Sequence, residues 1–370
     1  MPRRLTVAQL LPELEVGGVE RGTLEIAAAL VRAGHRALVV SAGGRLVDEL
    51  TACGAEHVCI PIGAKRVASL AHIAVLRRLF ASEGVDVVHA RSRLPAWLGR
   101  FALRGIPVPR RPAWVTTVHG PYSVNAYSQI MTSGDAVIAI SDFIRGYIER
   151  NYPDVPAARI TVIPRGVDPA RYHAAFVPDP AWRSAFERDH PAVRGQTLLT
   201  LAARLTRWKG QEDFLALIAA LRQQGCAVHG LIVGAAHPRK RAYADELLAR
   251  AAGLGIAGHV SFLGQRGDLR ELLAISSIAY SLTGAPEAFG RTTIEALALG
   301  TPVIGYDHGG TGEILHRIYP AGIVAVGDIA AAAERTVALL AAPQAVPAEH
   351  PYTVAAMQAA TLALYARVCS

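Results

Sequence analysis

Short apolar runs recur along the chain, separated by longer stretches with helical spacing. In the first half the runs are Leu5–Leu11, Ala37–Ser41, Val58–Pro61, Val85–His89, Trp114–His119, Ala136–Ser141 and Ile160–Ile163. Residues 20–33 carry the first helical pattern, which stops at Gly34. The runs are continuous rather than alternating, as strands covered on both faces should be. That predicts an α/β fold with a doubly wound parallel sheet. The pattern then restarts at Thr197–Ala202 and continues through His229–Val233, Val260–Leu263, Ile278–Ser281, Pro302–Gly305 and Ile323–Val326. Between the two series, Asp168 to Gln196 is richer in Pro, Asp, Arg and His and reads as a connection. The expectation is two Rossmann-like domains facing each other across a cleft, 1–168 and 169–351, followed by a last helix within 352–370. Ligands of such sheets bind beyond the carboxyl ends of the strands, which is where chemistry should be sought.

Composition narrows the class. The chain has 370 residues, 51% hydrophobic and 18% charged, enough apolar surface for packed cores and no case for disorder. No run is long and apolar enough to span a bilayer, and the N-terminus lacks the features of a signal peptide. The chain therefore reads as cytoplasmic. Its four cysteines, Cys53, Cys59, Cys226 and Cys369, form no CxxC pair and read as incidental thiols rather than a metal site. The net charge of +8 is concentrated from Lys65 to Arg111, where only Glu83 and Asp86 oppose the arginines. Such a stretch is either a solvated face or a site for an anionic partner such as a membrane surface. Nucleic acid is disfavoured, because no recognition motif or aromatic run accompanies the arginines.

The glycines exclude other families. Gly17-Gly18-Val19-Glu20-Arg21-Gly22 after the first strand is not GxGxxG, the second strand ends without an acidic residue, and no GxxxxGK[ST] occurs. Gly17 and Gly18 make either a tight turn or a loop that approaches a phosphate or sugar at a helix N-terminus. Arg204 and Lys209 follow the strand at Thr197–Ala202 and precede a helix; they are either a surface pair or two cations for a diphosphate. Glu287 lies in the loop after Ile278–Ser281. Gly290 permits a turn, and a helix starts near Arg291 and carries Glu295. The amides of Phe289–Thr293 would form an anion site beside two carboxylates able to grip hydroxyls. His119-Gly120 ends a first-domain strand, as a structural histidine or as one that serves the transferred group.

Taken together, Gly17-Gly18-Val19-Glu20-Arg21, Val118-His119-Gly120, Ile163-Pro-Arg-Gly-Val-Asp168, Arg204 with Lys209-Gly210, Glu287-x7-Glu295, Gly300-Thr-Pro-Val-Ile and Gly309-Gly310 resemble a family 4 glycosyltransferase of the GT-B fold. The motifs span nearly the whole chain in order. The resemblance implies a retaining transfer from a nucleotide diphosphate sugar, with no cofactor and no metal, which agrees with the lack of Asp-x-Asp. It implies that Arg204 and Lys209 hold the diphosphate. Glu287 and the amides of Ala288, Phe289, Gly290 and Arg291, with Thr292 beside them, take the sugar; Glu295 takes the ribose. Backbone at Leu263, Gly264 and Arg266 takes the base. His119 touches the sugar, and Gly18 lies against the phosphate and acceptor. The last helix is implied to pack back on the first domain. Arg165 stands where the family commonly has Asn. The stretches around Arg91 and around Ser123 and Asn125 look similar to bacterial lipopolysaccharide-core members, which makes Arg91, Ser123 and Asn125 acceptor-side candidates; Gly17 of the first glycine motif is another.

The expected reaction moves a hexose or N-acetylhexosamine to a saccharide or lipid-linked acceptor in envelope glycan synthesis, with UDP the first expectation for the donor and GDP the second. Peripheral attachment to the inner face of the cytoplasmic membrane goes with the basic first domain. The alternatives are a GT-B epimerase acting on a UDP-sugar, which would convert donor without acceptor, and a non-catalytic membrane-associated binding protein, which has no need for the four charged donor-side residues.

Overall fold

The computed structural model describes residues 3–15, 17–236 and 242–370. The chain forms two compact units, Met1–Arg165 with Val354–Ser370, and Gly166–Thr353.

The first unit holds a parallel seven-stranded sheet. Its strands are β1 (Thr6–Leu10), β2 (Arg36–Ser41), β3 (Glu56–Cys59), β4 (Val87–Ala90), β5 (Ala113–Val118), β6 (Ala136–Ala139) and β7 (Ile160–Val162). The order β3-β2-β1-β4-β5-β6-β7 places the topological switch between β1 and β4, where Leu10 pairs with Val40 on one side and Ala90 on the other. β4 and β6 are buried at every position, hence their unbroken apolar sequence. The helix Val354–Val368 belongs to this unit. Its Met357, Leu364 and Tyr365 share a core with Leu11, Leu24, Leu30 and Ile163. Burial of each such side chain contributes roughly 1.5–3 kcal/mol, so this helix is held by packing rather than by propensity. Polar contacts fix its register: Gln358 Nε2 donates to the Glu25 carbonyl at 2.8 Å, and His89 Nδ1 lies 2.6 Å from the Tyr365 hydroxyl.

The second unit holds six parallel strands. They are β8 (Thr197–Ala202), β9 (Val228–Val233), β10 (Val260–Gly264), β11 (Ile278–Ser281), β12 (Val303–Tyr306) and β13 (Ile323–Val324). The order β10-β9-β8-β11-β12-β13 sets its switch between β8 and β11. The interval read from the sequence as a connection is in large part structure of this unit. Asp179 caps a helix over Pro180–Asp189 by accepting from the Ala181 amide, and Phe186 enters a core with Val193, Leu198, Leu231, Val233 and Leu272. The polar residues that suggested a linker form the helix's exposed side. Among the described residues no helix is long and apolar enough to cross a membrane.

Candidate functional site

In the second unit, the chain leaves the adjacent carboxyl ends of β8 and β11 in opposite directions, the arrangement that opens a crevice in a doubly wound sheet. After β8 it passes exposed Arg204, makes a turn over Arg207–Lys209 and enters the helix Gln211–Gln223. The turn is built on Gly210, at φ 76°, where an added Cβ would sit 1.9 Å from the Leu282 carbonyl oxygen. Buried Gln211 donates to the Arg204 carbonyl at 3.0 Å, and the Gly284 amide donates to the Trp208 carbonyl at 2.8 Å. The first bond closes the loop after β8 on itself, and the second ties it to the loop after β11.

Lys209 Nζ forms an ion pair with Glu287 across the two loops. Its ammonium also lies 4.1 Å from the centroid of the Trp208 ring. Glu287 is held from behind: the Gly310 amide donates to its carbonyl at 2.7 Å. A Cβ on Gly310 would stand 2.3 Å from the Phe289 carbonyl oxygen, so the diglycine lets the Glu287–Phe289 backbone lie directly on the start of the helix Gly309–Ile318. Gly290 then opens the helix Arg291–Ala298, and the amides of Arg291, Thr292 and Thr293 begin it without intrahelical acceptors. Glu295, one turn on, is 7% exposed and takes a bond from Arg291 Nε at 3.0 Å. Thus Arg204, Lys209, Glu287 and the first turn with Ala288, Gly290, Arg291, Thr292 and Glu295 collect at one switch point. Phe289 is buried against Tyr352, with ring centroids 5.6 Å apart, so it contributes backbone rather than side chain.

Leu263 and Gly264 lie at the bulged end of β10. The Arg266 side chain is committed to Asp268, at 2.9 and 2.7 Å, and Asp268 also accepts from Trp182 at 2.8 Å. The guanidinium holds the Asp268 carboxyl below the usual range.

In the first unit, the helix Gly18–Arg32 begins beyond β1. Gly17 is extended, at φ 177°, and a Cβ on Gly18 would meet nothing within 4 Å, so the backbone does not need a glycine-only turn here. Arg91 corrects the charge reading. It is 2% exposed, donates from Nη1 to buried Gln9 at 2.8 Å, and takes no part in a basic surface. Burial lowers its pKa, and its Nε has no partner. Ser123 is exposed. Asn125 caps the short helix Ala126–Gln129 by accepting from the Ser128 amide at 2.9 Å. His119 follows β5 with its Nδ1 2.7 Å from Arg165 Nη2, and its amide donates to the Tyr122 hydroxyl at 3.3 Å. Burial, then Arg165, push its pKa well below the ordinary value. His89 is likewise kept neutral, between Tyr365 and Thr117, each at 2.6 Å. Sequence reasoning missed what Trp208, Gln211 and Arg165 do. Only Arg165, by its departure from the family's Asn, carried a signal.

Two family models match the chain: Glycosyltransferase Family 4 over residues 16–171 and Glycosyl transferases group 1 over residues 183–350. A GDP-mannose-dependent α-(1-6)-phosphatidylinositol dimannoside mannosyltransferase of Mycobacterium tuberculosis is 27% identical over 312 residues, 78% of this chain and 75% of that protein. The lipopolysaccharide core biosynthesis mannosyltransferase LpcC of Rhizobium leguminosarum bv. viciae is 29% identical over 194 residues, 52% of this chain and 51% of that one. The crystal structure of a glycosyltransferase from Rickettsia africae matches with a TM-score of 0.84 and 25% identity, covering 99% of this chain and 98% of that one.

Proposed function

Because the chain belongs to glycosyltransferase family 4, and is a hexosyltransferase of GT-B fold that uses nucleotide-sugar donors, we propose that it transfers mannose from GDP-mannose, with retention, to a saccharide or lipid-linked acceptor of the cell envelope. The meeting of Lys209 and Glu287 beside the Arg291 helix start carries this reading. Guanosine and mannose are placed ahead of the UDP sugar first expected from the motifs, because the Mycobacterium relative is GDP-mannose-dependent and the Rhizobium one is a mannosyltransferase.

In this proposal Arg204 and Lys209 take the diphosphate, Glu287 and the amides of Ala288–Arg291 the sugar hydroxyls, Glu295 the ribose, and backbone at Leu263–Gly264 the base. By the same resemblance, His119 serves the transferred sugar and Gly18 the phosphate and acceptor. The bond from the anomeric carbon to the phosphate oxygen breaks, and the acceptor oxygen bonds that carbon from the same face. The acceptor's proton passes to the departing phosphate oxygen. The charge that develops there falls to the two cations and the helix amides rather than to a metal ion. The proposal keeps the first unit at an anionic membrane surface, a reading supported by exposed Lys65, Arg66 and Arg78 beside exposed apolar side chains.

Thermal shift and calorimetry with GDP, UDP and ADP test the donor. A ligand specific to the folded state adds about 2.7 kcal/mol at a hundred times its Kd. The expected result is stabilisation by GDP that disappears in Lys209→Met. Stabilisation by UDP alone overturns the base, and stabilisation by none overturns the site.

A further inference from the structure

Arg165 Nη2 lies 2.7 Å from His119 Nδ1. A guanidinium only donates hydrogen bonds, so Nδ1 must present its lone pair, and the single proton of the neutral ring sits on Nε2. That Nε2 is buried and has no hydrogen-bond partner. A buried donor without an acceptor is costly, and its persistence points to an acceptor supplied from outside the unit's own fold. Arg165 is not free to swing away. A Cβ on Gly22, in the neighbouring helix, would stand 2.4 Å from Arg165 Nη1, and the same Nη1 lies 3.8 Å from Met357 Sδ.

We propose that Arg165 is a positioning residue that locks His119 as the neutral Nε2–H tautomer, making it a hydrogen-bond donor to an oxygen of the transferred group or its phosphate and denying it the role of a base. The proposal rests on the reading of His119 as serving the transferred sugar and assigns its direction of hydrogen bonding. The family's common Asn at this place carries both a donor and an acceptor and would permit either tautomer; arginine permits one. The charged and titratable groups that face His119 are Arg165, Arg91 and His89, with the Tyr122 hydroxyl on its amide, and none of them is a carboxylate that would favour the imidazolium.

Nitrogen-15 spectra of the histidine-labelled full chain read the tautomer directly, with His119→Gln to assign the resonance. The wild type is expected to show neutral Nε2–H from pH 8 down through the ordinary histidine value of about 6.5. In Arg165→Met the Nδ1–H form is expected to appear and the ring to titrate closer to the ordinary value. Its kcat is expected to fall roughly tenfold, the cost of misaiming one donor. Arg165→Lys, which still donates to Nδ1, restores the tautomer and most of the rate. An Nδ1–H or charged ring in the wild type at pH 6.5, or an Arg165→Met spectrum like the wild type's, overturns the lock. An unchanged kcat in a variant with altered tautomer overturns the positioning role. If no nucleotide binds, the glycosyl-transfer reading fails, while the wild-type spectrum still reports on Arg165.

Discussion

Glu287 pairs with Lys209, so under the proposed function the carboxylate would have two duties: to orient the ammonium that meets the diphosphate, and to accept from sugar hydroxyls. Glu287→Gln separates them. The amide keeps the shape and one acceptor but drops the charge. Lys209 is released, so GDP affinity by calorimetry is expected to hold or rise, while kcat/KM with the sugar donor falls about a hundredfold. Turnover near that of the wild type would sink the assignment. This pair was legible as two separate motifs, because each sits at a strand end followed by a helix start. Their contact was not, since 78 residues separate them and only the β8-β11 adjacency brings them together. Arg91 was misread for the complementary reason. Charge in a sequence argues for exposure, whereas the place of Arg91 just beyond β4 turns it toward Gln9 on β1.

Strands were legible to within about two residues, because inner ones such as β4 and β6 are covered on both faces and apolar along their length, whereas the edge strand β3 leaves Glu56 and Cys59 exposed. The helix Pro180–Asp189 was not, because it buries little beyond Phe186 and shows a polar sequence. The diglycine Gly309-Gly310 was visible as a motif, but its reason, contact with the Glu287–Phe289 backbone, exists only in three dimensions. One pair of elements in the first unit carries its own prediction. The turn Val67–Leu70 leads into the helix Ala71–Ser82, with Val67 86% and Leu70 57% exposed next to Lys65 and Arg66. Apolar side chains flanked by cations suit the interface of an anionic bilayer, where each basic residue contributes about 1 kcal/mol. Co-sedimentation with vesicles containing acidic lipid is expected at low salt and lost at high salt, with Val67→Ser/Leu70→Ser weakening it. Failure to sediment at low salt rejects the attachment.

Over the whole molecule, burial has left a set of histidines that resist protonation, in both units. His57, His89 and His119 belong to the first, His229 and His350 to the second, and all five are shifted down with burial as the leading cause. His229 is pushed down to about 4. In the unfolded chain these rings take up protons near their ordinary value of about 6.5, while in the native state they stay neutral to lower pH. The unfolded state therefore binds more protons once the pH falls below about 6.5, so stability falls with pH there, for His229 down to about 4. The depressed carboxyls of Glu56 and Asp268 add their loss only lower, near and below their ordinary values of 4.5 and 3.8. Calorimetric melting at pH 7.5 and 5.0 is expected to show a Tm lower by several degrees at pH 5.0. Because the affected rings lie in both units, any separate transitions should move together. His89→Gln, which removes a buried ring held between Tyr365 and Thr117, should lower Tm at neutral pH and flatten its dependence on acid. A Tm that is level or rising toward pH 5 would mean that these histidines are protonated in the folded chain, and that the neutral environment around His119 is not built into the fold.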